Sequence, residues 1–325
     1  MINVGIVGGT GYTAGELIPL LINHPETKID FVYSTSRAGD RVTAVHRDLL
    51  GETELKFSSE INENIDVLFL CTGHGNSTDV LKSHPLSQDT KIIDLSRDFR
   101  LKAANTFHDR TFVYGLPELQ KSKIIKADNV ANPGCFATTI QLALLPLAHV
   151  SALKNDVHIH GITGSTGAGS SLRETTHFTW RDNNVSIYKA LNHQHIGEIT
   201  QSIKQLSPSF DSELNFIPVR GDFTRGIFVS AYMDTEMSLD NAQSLYSKFY
   251  ANAPFVHLSP EPLYLKQVVN TNKCLLHLQK KDDKLLVTSI IDNLLKGASG
   301  QALQNMNLMF GLEETLGLQL KPTHF

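Results

Sequence analysis

Short apolar runs broken by glycine set the rhythm of the first hundred residues. Ile2–Val7 is rich in Ile and Val, as a strand buried on both faces of a parallel sheet requires. Gly8-Gly9-Thr10-Gly11 interrupts it, and residues 14–22 continue with helical character, Pro19 falling in the early turns where its cost is smallest. Strands are predicted over 29–33, 65–71 and 91–95, with helical segments between several of them. That alternation predicts a doubly wound α/β domain.

Beyond residue 135 the pattern changes. Residues 135–148 read as an apolar helix, and strands follow over 156–163, 214–219, 226–234, 274–279 and 285–291. Helical patterns are fewer, about 196–206 and 239–250, which predicts an antiparallel α+β second domain. Residues 300–316 are helical again and are expected to return to the first domain. The division expected is therefore 1–134 with about 298–325 for dinucleotide binding, and 135–297 for substrate, catalysis and oligomerisation.

A length of 325 residues suits two domains, and 41% hydrophobic with 19% charged residues is ordinary for a folded protein. Lys and Arg total 29 against 33 Asp and Glu, so no polyanion-binding surface is expected. No apolar stretch approaches the ~20 residues of a membrane span, and the opening Met1-Ile2-Asn3-Val4 lacks a basic leader. The three cysteines, Cys71, Cys135 and Cys274, lie far apart with no CxxC pair. The expectation is a soluble protein of a reducing compartment, most simply the cytoplasm.

Gly9-Thr10-Gly11-Tyr12-Thr13-Ala14 fits G-x-G-x-x-G/A, and it sits after a strand and opens a helix. The glycines let backbone approach a pyrophosphate while helix-terminal N–H groups point at it, which makes Gly8, Thr10, Gly11, Tyr12 and Thr13 candidate cofactor contacts. A tight turn without ligand would use the same residues. The second strand ends Tyr33-Ser34-Thr35-Ser36-Arg37, with hydroxyls and a cation where binders of NAD place an acid. Ser36 and Arg37 suit a 2′-phosphate, so NADP is favoured, a solvated loop arginine being the plainer alternative.

Cys135 follows Asn132-Pro133-Gly134 and begins an apolar helix, where unpaired N–H groups stabilise a thiolate. Cys71 and Cys274 lie inside apolar strands and read as buried structural thiols. A thiolate beside a nicotinamide suggests attack on an activated carbonyl, giving a thioester that hydride reduces. Asn192-His193-Gln194-His195-Ile196-Gly197-Glu198 supplies proton carriers: His193 or His195 to shuttle the proton, Glu198 to orient a histidine or the substrate. The same H-x-H-x-x-E spacing also suits a metal site or an ordinary helix start. Gly164-Ser165-Thr166-Gly167-Ala168-Gly169 offers N–H groups to an anion or the nicotinamide amide. Ser96 and Arg100 follow the strand at 91–95, and Arg220 and Arg225 lie in a third polar stretch; together they imply a substrate with more than one anionic group.

These segments, in this order, resemble the N-acetyl-gamma-glutamyl-phosphate reductase family. The resemblance rests on 8–17, 94–101, Tyr114-Gly115-Leu116-Pro117-Glu118-Leu119, 132–138, 164–169, 193–199, Thr224-Arg225-Gly226-Ile227 and 292–302, nearly the whole chain. It implies a Rossmann domain that regains its C-terminal helix and a glyceraldehyde-3-phosphate-dehydrogenase-like α+β domain for substrate and dimerisation. It implies reduction of N-acetylglutamyl 5-phosphate by NADPH, with phosphate release, in arginine biosynthesis. Cys135 would be the nucleophile and His193 the acid/base. Ser96, Arg100, Asn132, His195, Glu198 and Arg225 would serve the substrate, and Ser165, Gly167, Ala168 and Asn293 would join the cofactor site.

Family members associate as dimers or tetramers. The chain departs from the pattern at Ser165-Thr166, at Ser170-Ser171 where a basic residue is common, and at Cys71-Thr72-Gly73-His74, which lacks a proline. Rival readings are a related reductase of N-succinylglutamyl or aspartyl phosphate, and a non-catalytic NADPH sensor.

Overall fold

The computed structural model describes residues 1–73 and 75–323 and forms two units. The first, Met1–Pro133 with Ala298–Gln319, is built on β1 (Ile2–Val7), α1 (Tyr12–Ile22), β2 (Thr27–Tyr33), β3 (Phe57–Ser58), β4 (Val67–Leu70), α2 (Ser77–Ser83) and β5 (Lys91–Asp94). A small hairpin of β6 (Thr106–Phe107) and β7 (Arg110–Thr111) precedes β8 (Val113–Tyr114), α3 (Pro117–Ile124) and β9 (Asn129–Ala131). The sheet runs β3-β2-β1-β4-β5-β9-β8, every pair parallel. Val4, Ile6, Val67, Phe69, Ile92 and Ile93 are closed to solvent, because a parallel sheet is covered on both faces. The order reverses between β1 and β4, the crevice where such sheets bind ligands.

Two details differ from expectation. α1 starts at Tyr12, so Pro19 stands in its third turn rather than in the early turns. The chain beyond Gln319 packs with the second unit instead of the first: the Thr323 N–H donates to Val269 O at 3.1 Å, and Asn270 Nδ2 to Thr323 Oγ1 at 2.6 Å.

The second unit contains α4 (Cys135–His149), β10 (Val157–Thr163), a one-turn α5 (Phe178–Arg181), β11 (Ser186–Ile187), α6 (His195–Leu206), β12 (Leu214–Arg220), β13 (Ile227–Asp234), α7 (Leu239–Phe249), β14 (Val256–Leu258), β15 (Cys274–Lys281) and β16 (Lys284–Ile291). Its sheet runs β11-β12-β10-β13-β16-β15-β14 and is mixed, not antiparallel throughout. β10 pairs parallel with β12 because α6 carries the chain back between them, and β14 pairs parallel with β15.

Every residue of α4 from Phe136 to Ala148 is buried, as an apolar helix without a polar stripe must be. Pro146 cannot donate to Leu142 O four residues earlier. Tyr250 Oη donates to that carbonyl instead, at 2.6 Å, and Tyr246 Oη to Ala143 O beside it. The last helix, α8 (Gly300–Met309), belongs to the first unit and is buried along its length. Its asparagines are held by backbone and side-chain partners: Asn305 Nδ2 donates to Gly115 O (2.9 Å) and Asn132 Oδ1 (3.0 Å), and Asn307 Nδ2 to Leu316 O (2.9 Å). No described helix is long and apolar enough to cross a membrane.

Candidate active site

The turn that carries Cys135 is assembled inside the second unit. Gly134 is the N-cap of α4 with extended backbone (φ −73°, ψ 149°) and brings no side chain to the first turn, whose N–H dipoles favour a negative charge at Cys135. The Gly134 N–H itself donates to Glu198 Oε2 at 3.0 Å. Glu198 lies in the first turn of α6, so one buried carboxylate fastens the Cys135 turn to the histidine segment. Gly297 closes the other side: a Cβ there would stand 2.7 Å from the Cys135 Cβ, so only glycine fits. Cys135 is partly exposed, whereas Cys71 and Cys274 are buried, and burial pushes the Cys71 thiol up to about 12.

His193 sits in an aromatic cage. Its ring centre lies 4.6 Å from His195, 5.3 Å from Phe216, and 5.8 Å from both Phe136 and Tyr188, all edge-on. Burial first, then the nearby Lys189 charge, lowers its pKa to about 4, so the imidazole is neutral at pH 7. His193 Nδ1 accepts the His195 backbone N–H at 3.3 Å, which leaves Nε2 as the proton-carrying atom. His195 Nε2 approaches Glu198 Oε1 at 3.9 Å. Tyr188 lies near enough to Cys135 for a thiolate there to add to the burial that raises its phenol. Among the described residues, no group of three or more His, Cys, Asp or Glu side chains is arranged to hold a metal ion.

Several expected ligands are engaged within the protein. Arg225, expected to hold substrate, forks onto the buried Asp292 carboxylate: Nε to Oδ2 at 2.9 Å and Nη2 to Oδ1 at 3.3 Å. Asn293 ties loops together, its Oδ1 accepting from the Gly226 N–H (2.6 Å) and its Nδ2 donating to Thr166 Oγ1 (3.0 Å). It thereby steadies the glycine-rich turn Ser165–Ala168, in which Gly167 is exposed and Ser165 and Ala168 half-buried. Gly164 is required there, because a Cβ would meet Thr224 O at 2.4 Å.

In the first unit, Ser96 Oγ donates to Asp94 Oδ2 (2.8 Å), and burial raises the Asp94 carboxyl despite bonds from Ser77 and Ser96. Arg100 is buried, with Nε on Asn132 O (2.8 Å) and Nη2 on Leu95 O (2.9 Å), bracing the segment that leads to Cys135. The Asn132 side chain donates to Ala298 O at 3.1 Å and accepts from Asn305.

The loop after β1 fits a dinucleotide. Gly8 has φ +83°, and a Cβ would strike Cys71 O at 2.5 Å, so glycine alone lets the backbone pass across the carboxyl ends of β1 and β4. Gly11 caps α1 with extended backbone and no side-chain bond, which leaves the N–H groups of the first turn, about Tyr12 and Thr13, for phosphate oxygens. Thr10 is half-buried beside them. His46, which sequence reasoning missed, supports this loop from beneath, its Nε2 2.7 Å from Gly9 O. After β2, Ser36 lies 3.5 Å from Ser34 (Oγ–Oγ), and Arg37 is about half exposed with only a long contact (3.4 Å) to Asp40. His74 lies outside the described residues.

The semialdehyde dehydrogenase family models match both units: the NAD binding domain over residues 3–127 and the dimerisation domain over 135–293. The N-acetyl-gamma-glutamyl-phosphate reductases of Christiangramia forsetii and Flavobacterium johnsoniae are each 59% identical over 325 residues, covering all of both chains. The chain belongs to the N-acetyl-gamma-glutamyl-phosphate reductase family. The relative from Bacteroides thetaiotaomicron is 58% identical, again over both full lengths. Among solved structures, aspartate semialdehyde dehydrogenase II of Vibrio cholerae has a TM-score of 0.71 at 15% identity, covering 96% of this chain and 98% of that one. That of Candida albicans, determined with NADP, has a TM-score of 0.70 at 11% identity, covering 95% and 99%. These establish the fold: a Rossmann-like NAD-binding unit and a second mixed α/β unit.

Proposed function

We propose that the chain reduces N-acetyl-L-glutamyl 5-phosphate to N-acetyl-L-glutamate 5-semialdehyde, using NADPH and releasing phosphate, as a step of arginine biosynthesis. The observation that carries the reading is Cys135 on the first turn of α4, fastened through Gly134 and Glu198 to the His193 segment, in a chain of that reductase family. Gly8, Thr10, Gly11, Tyr12 and Thr13 would hold the pyrophosphate of NADP, and Ser36 and Arg37 its 2′-phosphate. When bound, NADPH supplies the hydride.

The protein's own groups do the rest. The α4 terminus lowers the cost of a thiolate at Cys135 Sγ, which attacks the acyl carbon and displaces phosphate, leaving a thioester. The first-turn N–H groups would share the charge that the carbonyl oxygen gains. As the thioester carbon is reduced, the neutral His193 donates its Nε2–H as a hydrogen bond to the thiohemiacetal oxyanion. The oxyanion then re-forms the carbonyl as the C–S bond breaks, which releases the aldehyde and returns Cys135 Sγ to the thiolate. His193 starts neutral, and the growing negative charge beside it raises its affinity for the proton it must hold. Glu198 positions both partners, and Arg100 and Asn132 brace the turn before Cys135. The reading includes a cytoplasmic location and self-association as a dimer or tetramer through the second unit.

The test is run in reverse, following NADPH absorbance with NADP, phosphate and one aldehyde at a time: the N-acetylglutamate, N-succinylglutamate and aspartate semialdehydes. Phosphate-dependent turnover with the N-acetyl compound at the highest kcat/KM supports the proposal. Turnover with the aspartate compound alone would overturn it.

A further inference from the structure

The side of the second unit behind His193 carries positive charge that this scheme does not use. Arg220 ends β12 on the same face as Phe216 and Pro218, four and two positions earlier, and Phe216 is one wall of the His193 cage. The Arg220 guanidinium lies 4.8 Å from the centre of the Tyr188 ring, near enough for its charge to oppose the rise that burial gives the phenol. That same ring meets His193 edge-on. Ser186 pairs with Arg220 across β11 and β12, and its hydroxyl accepts from Arg181 Nη1 at 3.4 Å. Arg181 is 7% exposed and close enough to Arg220 for the two charges to oppose each other.

Neither cation has its counter-ion. Arg181 also donates to Asn184 O, yet its Nε and the Nε of Arg220 are both enclosed without a hydrogen-bond partner. Among the described residues no carboxylate forms an ion pair with either guanidinium. Asp222 is the acid felt by Arg181, and its Oδ2 is taken by the Asn183 N–H at 2.9 Å. Lys189 adds a third cation, resting on Gln194 Oε1 at 2.9 Å. Guanidinium groups taken out of water are costly without an anion, and planar forks of this kind match a carboxylate. Arg225, by contrast, already has Asp292.

We infer that Arg220, carried on Tyr188 and seconded by Arg181, holds a carboxylate of the substrate that takes no part in the reaction, and so sets substrate choice. The inference rests on the reaction under Proposed function. Two carboxylates have the right chemistry: the α-carboxylate of the glutamyl skeleton, or a second one on a dicarboxylic N-acyl group.

The experiment compares wild type, Arg220→Gln and Arg220→Lys with N-acetylglutamate semialdehyde, its α-carboxamide analogue and N-succinylglutamate semialdehyde, each with NADP and phosphate. Arg220→Gln is expected to raise KM for the carboxylate-bearing aldehyde about 10- to 100-fold, with kcat within about threefold, KM for NADP and phosphate unchanged, and partial rescue by lysine. Discrimination against the carboxamide should collapse in the same variant. A loss seen with the N-acetyl aldehyde assigns the site to the α-carboxylate; a loss confined to the N-succinyl aldehyde assigns it to the acyl group. Equal effects on the carboxylate and carboxamide substrates, or a fall in kcat alone, would overturn the site and leave Arg220 as a prop for Tyr188. Should wild type turn over neither aldehyde, the proposed reaction fails, and calorimetry of N-acetylglutamate and N-succinylglutamate binding to Cys135→Ala, with and without Arg220→Gln, still decides the site. Tenfold weaker binding in the double variant sustains it, and equal binding refutes it.

Discussion

Gly297→Ala places a methyl group against the nucleophile. The new Cβ would lie 2.7 Å from the Cys135 Cβ and 3.2 Å from its Cα, beside Asp292 O at 3.3 Å. Carbon atoms in ordinary contact stand about 3.5 Å apart or more, so the neighbours must yield by roughly 0.8 Å. Cys135 Cβ cannot swing away as the tip of a long side chain would, because Cβ is fixed to the first residue of α4. The Gly297 backbone is held as well, its N–H donating to Asp292 O at 2.9 Å. Overpacking of this kind costs about 1–3 kcal/mol of stability. The catalytic effect should be larger, since misplacing a reacting group by about 1 Å costs on the order of a hundredfold in rate. We expect kcat to fall about 30- to 100-fold, with a parallel drop in the rate of Cys135 alkylation by iodoacetamide, while NADP affinity holds within about twofold. Wild-type kcat and alkylation in a folded Gly297→Ala protein would refute the reasoning.

Other expectations rest on the same geometry. His193 has its folded pKa lowered to about 4 from an ordinary value of 6.5, so its neutral form stabilises the fold fully above pH 6.5, and that contribution disappears as pH falls towards 4. The difference is worth about 3 kcal/mol, and thermal unfolding of His193→Gln should accordingly depend less on pH between 7 and 4 than wild type does; parallel curves would count against it. Glu198→Ala strands the Gly134 N–H and should cost about 1–3 kcal/mol with a slower alkylation of Cys135, whereas an unchanged alkylation rate would remove Glu198 from the positioning role. Gly8→Ala meets both a positive φ and Cys71 O, and should weaken NADP binding at least about tenfold in a fluorescence titration, with Cys135 alkylation intact.

Local patterns in the chain carry the fold a long way. Ile2–Val7, the glycine turn and α1 arise from apolar runs and chain stiffness, which act over a few residues. The helix predicted from Cys135 begins at Cys135, because Pro133 and Gly134 set a turn and no polar stripe interrupts the apolar residues beyond it. The features hidden from the sequence depend on partners distant along the chain. The Gly134–Glu198 bond spans 64 residues and the Arg225–Asp292 pair 67, so nothing local announces that either group is engaged. Gly297 and His46 act by shape and support, roles that residue type alone does not reveal. The second sheet is mixed where antiparallel pairing was expected, because the α6 crossover sets strand direction and strand composition is nearly blind to it. Tyr188, with no evident task in the sequence, takes its meaning from Arg220 on one side and His193 on the other.

The central claim is that Cys135 carries the acyl group. It is tested most directly by incubating the protein with N-acetylglutamyl phosphate in the absence of NADPH and mapping the adduct by mass spectrometry, beside phosphate-dependent turnover of wild type and Cys135→Ser. A hydroxylamine-labile N-acetylglutamyl adduct on Cys135, together with loss of turnover in Cys135→Ser, is the predicted result. Undiminished turnover in Cys135→Ser, or an adduct on another residue, would contradict the account.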